Sequence, residues 1–278
     1  MRAAVLPEDR PGRSMVRFYL AGMRMEILQA IQYRVGNYFY MLGMLAEPVI
    51  YLVVWSTIAR SQGGSVGGFT PGDFAAYYIV WTLVRNWNIS FDPFAWEWRI
   101  KEGELSGWLV QPVHPIHRDL AWGAGLKFVW FVMWLPIAVV LTIAFQPTLH
   151  PTGFEIAVFV VAIWAGFVLR TLILWILGLI TFWTTRVAAI FQLYFGAELL
   201  LSGRLVPLQL MPQWAQTLAN FFPMKWTFWF PIESLVGDMS PQRLFLGLAV
   251  QGLWIAGLSG GVWVMWRRAV ARYTAVGN

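Results

Sequence analysis

Ionisable side chains fall within stretches otherwise apolar enough to exclude water, among them Glu47, Arg85, Arg170 and Glu198. Arg85 is followed by Asn86 and Asn88. Such groups are costly in hydrocarbon and usually face a bundle interior, a partner or an aqueous path. Two roles fit these residues. An Arg–Glu pair between helices would be structural, whereas Arg85, Asn86, Asn88 and Glu198 together would wet a substrate path. Spacing does not say which carboxylate meets which guanidinium. Other chemistry has little support. Cysteine is absent, which removes disulfides, thiolate metal sites and a cysteine nucleophile. His114 and His117 are separated by Pro115, His150 is distant, and no third ligand completes a metal site. No P-loop pattern is present, so this chain does not bind ATP by that route. No Ser/His/Asp arrangement can be inferred, and the chain reads as a non-enzyme.

A second kind of chemistry is recognition of a soluble partner. Residues 92–118 form a polar interruption in an otherwise membrane-buried chain. Asp92 suits an N-cap, Pro93 a first helical position, and Gly103 a left-handed stop. This punctuation predicts a helix over 93–102. Phe94 and Trp98 share one face, and Glu97 and Lys101 share another. The segment reads either as a surface seated in a partner's groove or as a loop resting at the membrane surface.

The elements that must position these residues are helices across a bilayer. Of 278 residues, 58% are hydrophobic and 12% charged. Charged residues make up about 25% of ordinary soluble domains, so this chain cannot cover a globule with polar surface. Apolar windows of about 20 residues, the length a helix needs to span hydrocarbon, recur along it. The expected fold is an all-α membrane protein with six transmembrane helices, near 38–59, 74–90, 120–145, 154–183, 188–201 and 244–266. Residues 1–14 read as a flexible cytoplasmic tail, with no cleavable signal. Residues 15–35 read as an interfacial amphipathic helix: Val16, Leu20, Met23, Ile27, Ile31 and Val35 recur at helical steps, with Arg17, Arg24 and Gln32 off that stripe. A six-span domain over 36–266 follows, and 267–278 is a cytoplasmic tail. Between spans five and six, 202–243 is broken by Pro207, Pro212, Pro223 and Pro231, yet rich in aromatics such as Trp214. It is expected to form re-entrant helices shielded by protein. The net charge of +6 is unevenly placed. Thirteen Lys and Arg fall on the side of the termini and four on the other, which puts both termini in the cytoplasm. The charge therefore reads as membrane topology rather than nucleic-acid binding.

This order of parts resembles the membrane subunit of an ABC-2-type exporter. Ile100-Lys101-Glu102-Gly103-Glu104-Leu105-Ser106-Gly107-Trp108-Leu109-Val110-Gln111-Pro112 is similar to that family's coupling stretch, with Gln111 where the family has an apolar residue. Leu201-Ser202-Gly203-Arg204-Leu205-Val206-Pro207-Leu208, with Met211-Pro212-Gln213-Trp214, Phe222-Pro223 and Pro231, resembles its outer segment. Within the family the chain looks most like permeases that work with a second, different permease. The resemblance implies a cell-membrane permease on two copies of an ABC ATPase, with that second permease or with a copy of itself. ATP and Mg would be held by the ATPase and no cofactor by this chain. Phe94, Glu97, Trp98, Lys101, Glu102, Gly103 and Leu105 would couple to the ATPase. Cargo, amphipathic or lipid-like, would pass outward by spans two and five, past Arg85, Asn86, Asn88 and Glu198. Gly203, Pro207, Pro212, Trp214 and Pro223 would belong to the outer cap. A membrane anchor without a path of its own, and an ion-driven secondary transporter, are the competing functions.

Overall fold

The computed structural model describes residues 11–90, 92–184 and 187–273. The expected tail residues 1–10, Arg186 and residues 274–278 lie outside the described residues. The chain is helical, and among the described residues the only β pairing is an isolated bridge between Val66 and Phe69. The helices are α1 (Pro11–Gln32), α2 (Arg34–Ser61), α3 (Pro71–Trp87), α4 (Ala95–Lys101), α5 (Glu104–Leu109), α6 (Pro115–Phe145), α7 (Gly153–Leu179), α8 (Val187–Leu201), α9 (Gln213–Asn220), α10 (Met224–Thr227), α11 (Trp229–Val236) and α12 (Pro241–Val270).

Among the described residues, four helical stretches are long and apolar enough to cross a membrane: Arg34–Ser61, Pro115–Phe145, Gly153–Phe182 and Pro241–Val270. The other two expected spans are helices of 17 and 15 residues, α3 and α8, shorter than the ~20 residues that match the hydrocarbon core. The surroundings of α3 explain why it can be short. In α3 the stretch from Phe74 to Tyr78 has no exposure at all, so the helix is lined by protein rather than lipid. Large apolar side chains on α2, α6 and α12 point outward instead, among them Phe39, Ile143 and Leu253, each more than 70% exposed. These helices form the lipid-facing wall, and α3 and α7 form the interior.

Local chemistry sets the helix ends. Thr70 caps α3 in a reciprocal capping box with Asp73, and Pro71 occupies the first turn. Thr152 and Glu155 repeat the device on α7. The middle of α3 and its C-terminal end are clasped by the segment after α8. The Tyr77 hydroxyl donates to the Gly203 carbonyl (2.6 Å) and Tyr78 to Leu205 (3.1 Å). At the C-terminal end Asn88 Nδ2 donates to the Thr227 carbonyl (2.7 Å). Helices α10 and α11 thus enter between α3 and α7. Gly166 lets the chain at Thr227 come close, since a Cβ there would lie 3.0 Å from the Thr227 oxygen.

Several helix boundaries differ from the sequence expectation by a few residues. Helix α1 begins at Pro11, inside the expected tail, and α12 continues to Val270, past the expected span end. The side of α1 that packs on protein coincides with only part of that apolar stripe. Glu26 and Ala30 are buried and Met23 and Ile27 half-buried, whereas Val16, Leu20, Ile31 and Val35 of the predicted stripe are at least 50% exposed. Glycines set this face: a Cβ on Gly22 would meet Ala121 at 3.0 Å, and one on Gly125 would meet the Met23 backbone at 2.8 Å. Small residues allow close helix approach in membranes, so α1 lies tightly along α6.

Candidate functional site

The polar interruption folds as two short helices around a left-handed glycine. Asp92 Oδ1 accepts from the Phe94 amide (3.0 Å), and α4 starts at Ala95 rather than at Pro93. Gly103 adopts φ +70° and turns the chain into α5. The unit is anchored from beneath. Trp96 is fully buried, edge-on to Trp175 with ring centroids 4.9 Å apart and 6.0 Å from Trp266. Gly178 makes room for it on α7, where a Cβ would fall 1.8 Å from the indole. Arg99 forms a bidentate pair with Asp119 on α6 (2.8 and 3.0 Å), between the rings of Trp96 and Trp108. Asp119 also accepts from the Trp175 indole N–H (2.9 Å). Planar fork-to-carboxylate pairing fixes orientation as well as distance. So α4 is fastened to α6, α7 and α12 at once.

The outer side of this unit is open. Trp98 is 57% exposed and Glu102 is exposed, and the following Val110 is 85% exposed. Phe94 is half-turned inward, edge-on to Phe191 of α8 at 4.8 Å. Leu105, expected at the partner surface, has no exposure and packs with Trp96 and Trp108 in the core. Its role is to anchor α5. The side chains of Glu97 and Lys101 lie outside the described ones. Sequence reasoning missed Trp96, Arg99 and Asp119, because an aromatic and a cation in a polar segment carry no mark of facing inward.

A cavity of about 540 Å³ opens beside this unit, between α1, α4, α5 and the first turns of α6, with Glu26, Arg99, Arg118 and Trp122 in its walls. His114 caps α6 nearby, its Nδ1 accepting from the Ile116 amide at 3.3 Å, with the ring 4.6 Å from that of Trp266. Burial and the neighbouring His117 push the His114 imidazole down to about 4. A depressed histidine stabilises only while neutral, so stability is expected to fall as pH drops from about 6.5 towards 4. Melting curves across this range should show that fall, and His114→Asn, which keeps an acceptor without a titrating ring, should flatten it.

The intramembrane charges are brought together away from α4. Arg170 Nε and Nη2 donate to both oxygens of Glu198 (2.8 and 2.9 Å), and Nη1 donates to the Asn88 carbonyl (2.7 Å). The Tyr194 hydroxyl donates to Glu198 Oε1 (2.7 Å). Arg85 pairs with Glu47 of α2 at 2.8 Å. Arg204, which sequence reasoning did not select, stands between the pairs, 3.9 Å from Glu47 and 3.8 Å from Glu198. Lys127 of α6 is fully buried and donates to the Ile89 carbonyl. Of the expected path residues, Asn86, Asn88 and Glu198 are buried, whereas Arg85 keeps 16% of its side-chain surface. Gly203, Pro207, Pro212 and Pro223 sit at the turns joining α8 to α9 and α10, and Trp214 is exposed on α9. Among the described residues no three His, Cys, Asp or Glu side chains gather as metal ligands.

A comparison with curated proteins returns no match. The model of a family described as ABC-2 family transporter protein matches residues 45–277, from within α2 past the end of α12. Apolar helices long enough to span a bilayer and a match over most of the chain agree, and the chain belongs to the ABC-2 transporter family as a multi-pass membrane permease of an ABC transporter.

Proposed function

We propose that this permease is the six-span subunit of an ATP-driven exporter, with α2, α3, α6, α7, α8 and α12 as its spans. Both termini lie in the cytoplasm, α1 lies along the inner surface of the cell membrane, and α9–α11 form the re-entrant cap at the outer end. The α4–α5 unit rests on an ABC ATPase, two copies of which hold the ATP and Mg. A second permease, a different chain or another copy of this one, completes the assembly. Cargo is amphipathic or lipid-like and passes along the interface between the permeases, lined mainly by α3 and α8.

The observation that carries this reading is the two-sided build of α4. One side exposes Trp98 and Glu102, and the other is fastened through Trp96 and the Arg99–Asp119 pair. A tilt imposed on such a unit moves α6, α7 and α12 as a body. To test it, the tagged chain is purified from its native host in mild detergent and its partners are identified by mass spectrometry. An ATPase should be recovered, and Trp98→Ala/Glu102→Gln should reduce that recovery ~10-fold, as expected for loss of an exposed aromatic anchor. The melting temperature of the variant should stay within a few degrees. Equal recovery would remove α4 as the docking element. A clean preparation without any ATPase would remove ATP coupling.

A further inference from the structure

Charge within the apolar part of the bundle does not balance. Glu47 is engaged by Arg85 at 2.8 Å and by the Tyr51 hydroxyl at 3.3 Å. Glu198 is engaged by Arg170 through two hydrogen bonds and by Tyr194. Arg204 is therefore a third guanidinium around two carboxylates already taken. Its distances of 3.8 and 3.9 Å to them exceed hydrogen-bond range. Its Nε is buried without a hydrogen-bond partner. A guanidinium always carries its charge and offers five donors in a rigid fork.

Nor is Arg204 a loose surface side chain. Its two neighbours are the residues whose carbonyls Tyr77 and Tyr78 grip, and Gly203 takes φ +76° to bring it there. A Cβ on Gly203 would lie 2.9 Å from the Tyr77 hydroxyl, so the backbone has one seat. The side chain keeps 21% exposure, next to Glu47 at 30% and Arg85 at 16%. Glu198, behind them, has none. The excess charge thus points out of the chain at the only part of this cluster that opens outward. A surplus cation there is unstable against lipid, and in a low-dielectric setting its strongest complement is an anion.

We propose that Arg204 is an anion-binding residue that takes the acidic group, phosphate or carboxylate, of an amphiphilic cargo at the edge of the Glu47–Arg85 pair. The proposal rests on the transport reading above and names the cargo's chemical class. Glu47 is the competitor for the same guanidinium, so it sets how tightly the anion is held.

The test uses the purified chain in a neutral maltoside detergent with dodecyl phosphate as probe, dodecyltrimethylammonium as its cationic counterpart, and calorimetric binding as readout. Dodecyl phosphate should bind saturably and raise the melting temperature, and the ammonium should not. Arg204→Gln should weaken dodecyl phosphate binding ~10-fold, the loss of a charge-assisted contact. Arg204→Lys, which keeps the charge but not the fork, should recover part of it. Glu47→Gln should tighten binding, a change of sign that a folding defect cannot produce. Equal binding of both amphiphiles, or no change in Arg204→Gln, would overturn the proposal. A repeat in nanodiscs of phosphatidylcholine, with and without phosphatidylglycerol, separates two sources of the anion. Cargo predicts that the probe still binds with phosphatidylglycerol present, whereas full competition by that lipid would make the site a resident-lipid site and overturn the cargo assignment. Recovery of an ATPase alongside failed anion binding would sink this inference alone and leave the transport reading standing.

Discussion

Glu198→Ala is expected to cost ~3–5 kcal/mol, the penalty for stranding one member of a buried ion pair. The effect is large because no water replaces the carboxylate. Glu198 has no exposure, and its loss leaves two donors of Arg170 and the hydroxyl of Tyr194 without their acceptor. Arg204, 3.8 Å from the same carboxylate, loses a counter-charge as well. The measurement is the melting temperature of the purified chain in detergent, read with size-exclusion profiles. Arg170→Met/Glu198→Met should recover much of the loss, since removing both charges also removes their desolvation cost. Recovery should be incomplete, because Arg170 also serves the Asn88 carbonyl at 2.7 Å. If the single and double variants melt alike, the pair is not what holds α7 to α8.

Trp96→Ala is expected to cost ~3–5 kcal/mol, the range for truncating a large aromatic in a packed core. It removes a side chain with no exposure that meets Trp175, Phe182 and Trp266. The loss should be local. Limited proteolysis should cut between 92 and 113 much faster in the variant, while cleavage in α7 and α12 stays slow. Recovered ATPase should also fall, because the docking face is no longer held at one angle. Gly178→Ala attacks the same contact from the other side, since its added carbon would fall inside the indole. The two changes combined should be clearly less than additive. Additive losses would mean that the glycine and the indole act independently.

Much of the fold was legible because punctuation and hydropathy report it directly. Gly103 ends α4 as its type suggested, and the prolines of 202–243 break that segment into α9, α10 and α11. What was not legible is direction. Hydropathy cannot tell a lipid-facing leucine from a buried one: within the apolar stripe of α1, Val16 and Leu20 are exposed while Met23 and Ile27 are half-buried. The signal for the packed side was glycine: Gly22 lies against Ala121 and Gly125 against the Met23 backbone, where the helices come close. The same blindness hid Trp96 and placed Leu105 on the wrong side. The charges Arg85, Arg170, Glu47 and Glu198 were each visible as unusual, but which helix faces which is tertiary information. The structure pairs Arg85 with Glu47 and Arg170 with Glu198, and adds Arg204 from outside the spans.

The clasp on α3 also sets an order of assembly. Tyr77, Tyr78 and Asn88 meet partners 126, 127 and 139 residues later in the chain. When α3 leaves the ribosome none of these partners exists. It is then a 17-residue helix that begins after Thr70's cap and carries Arg85 and Asn86, a weak candidate for release into lipid on its own. Its retention beside α2 and the insertion machinery must bridge the time needed to make α6 to α11. At a synthesis rate of ~5–20 residues per second, that wait is several seconds at least. One of the first helices made is therefore among the last to be secured, and a nascent chain halted before Thr227 would carry α3 with its Asn88 end untied.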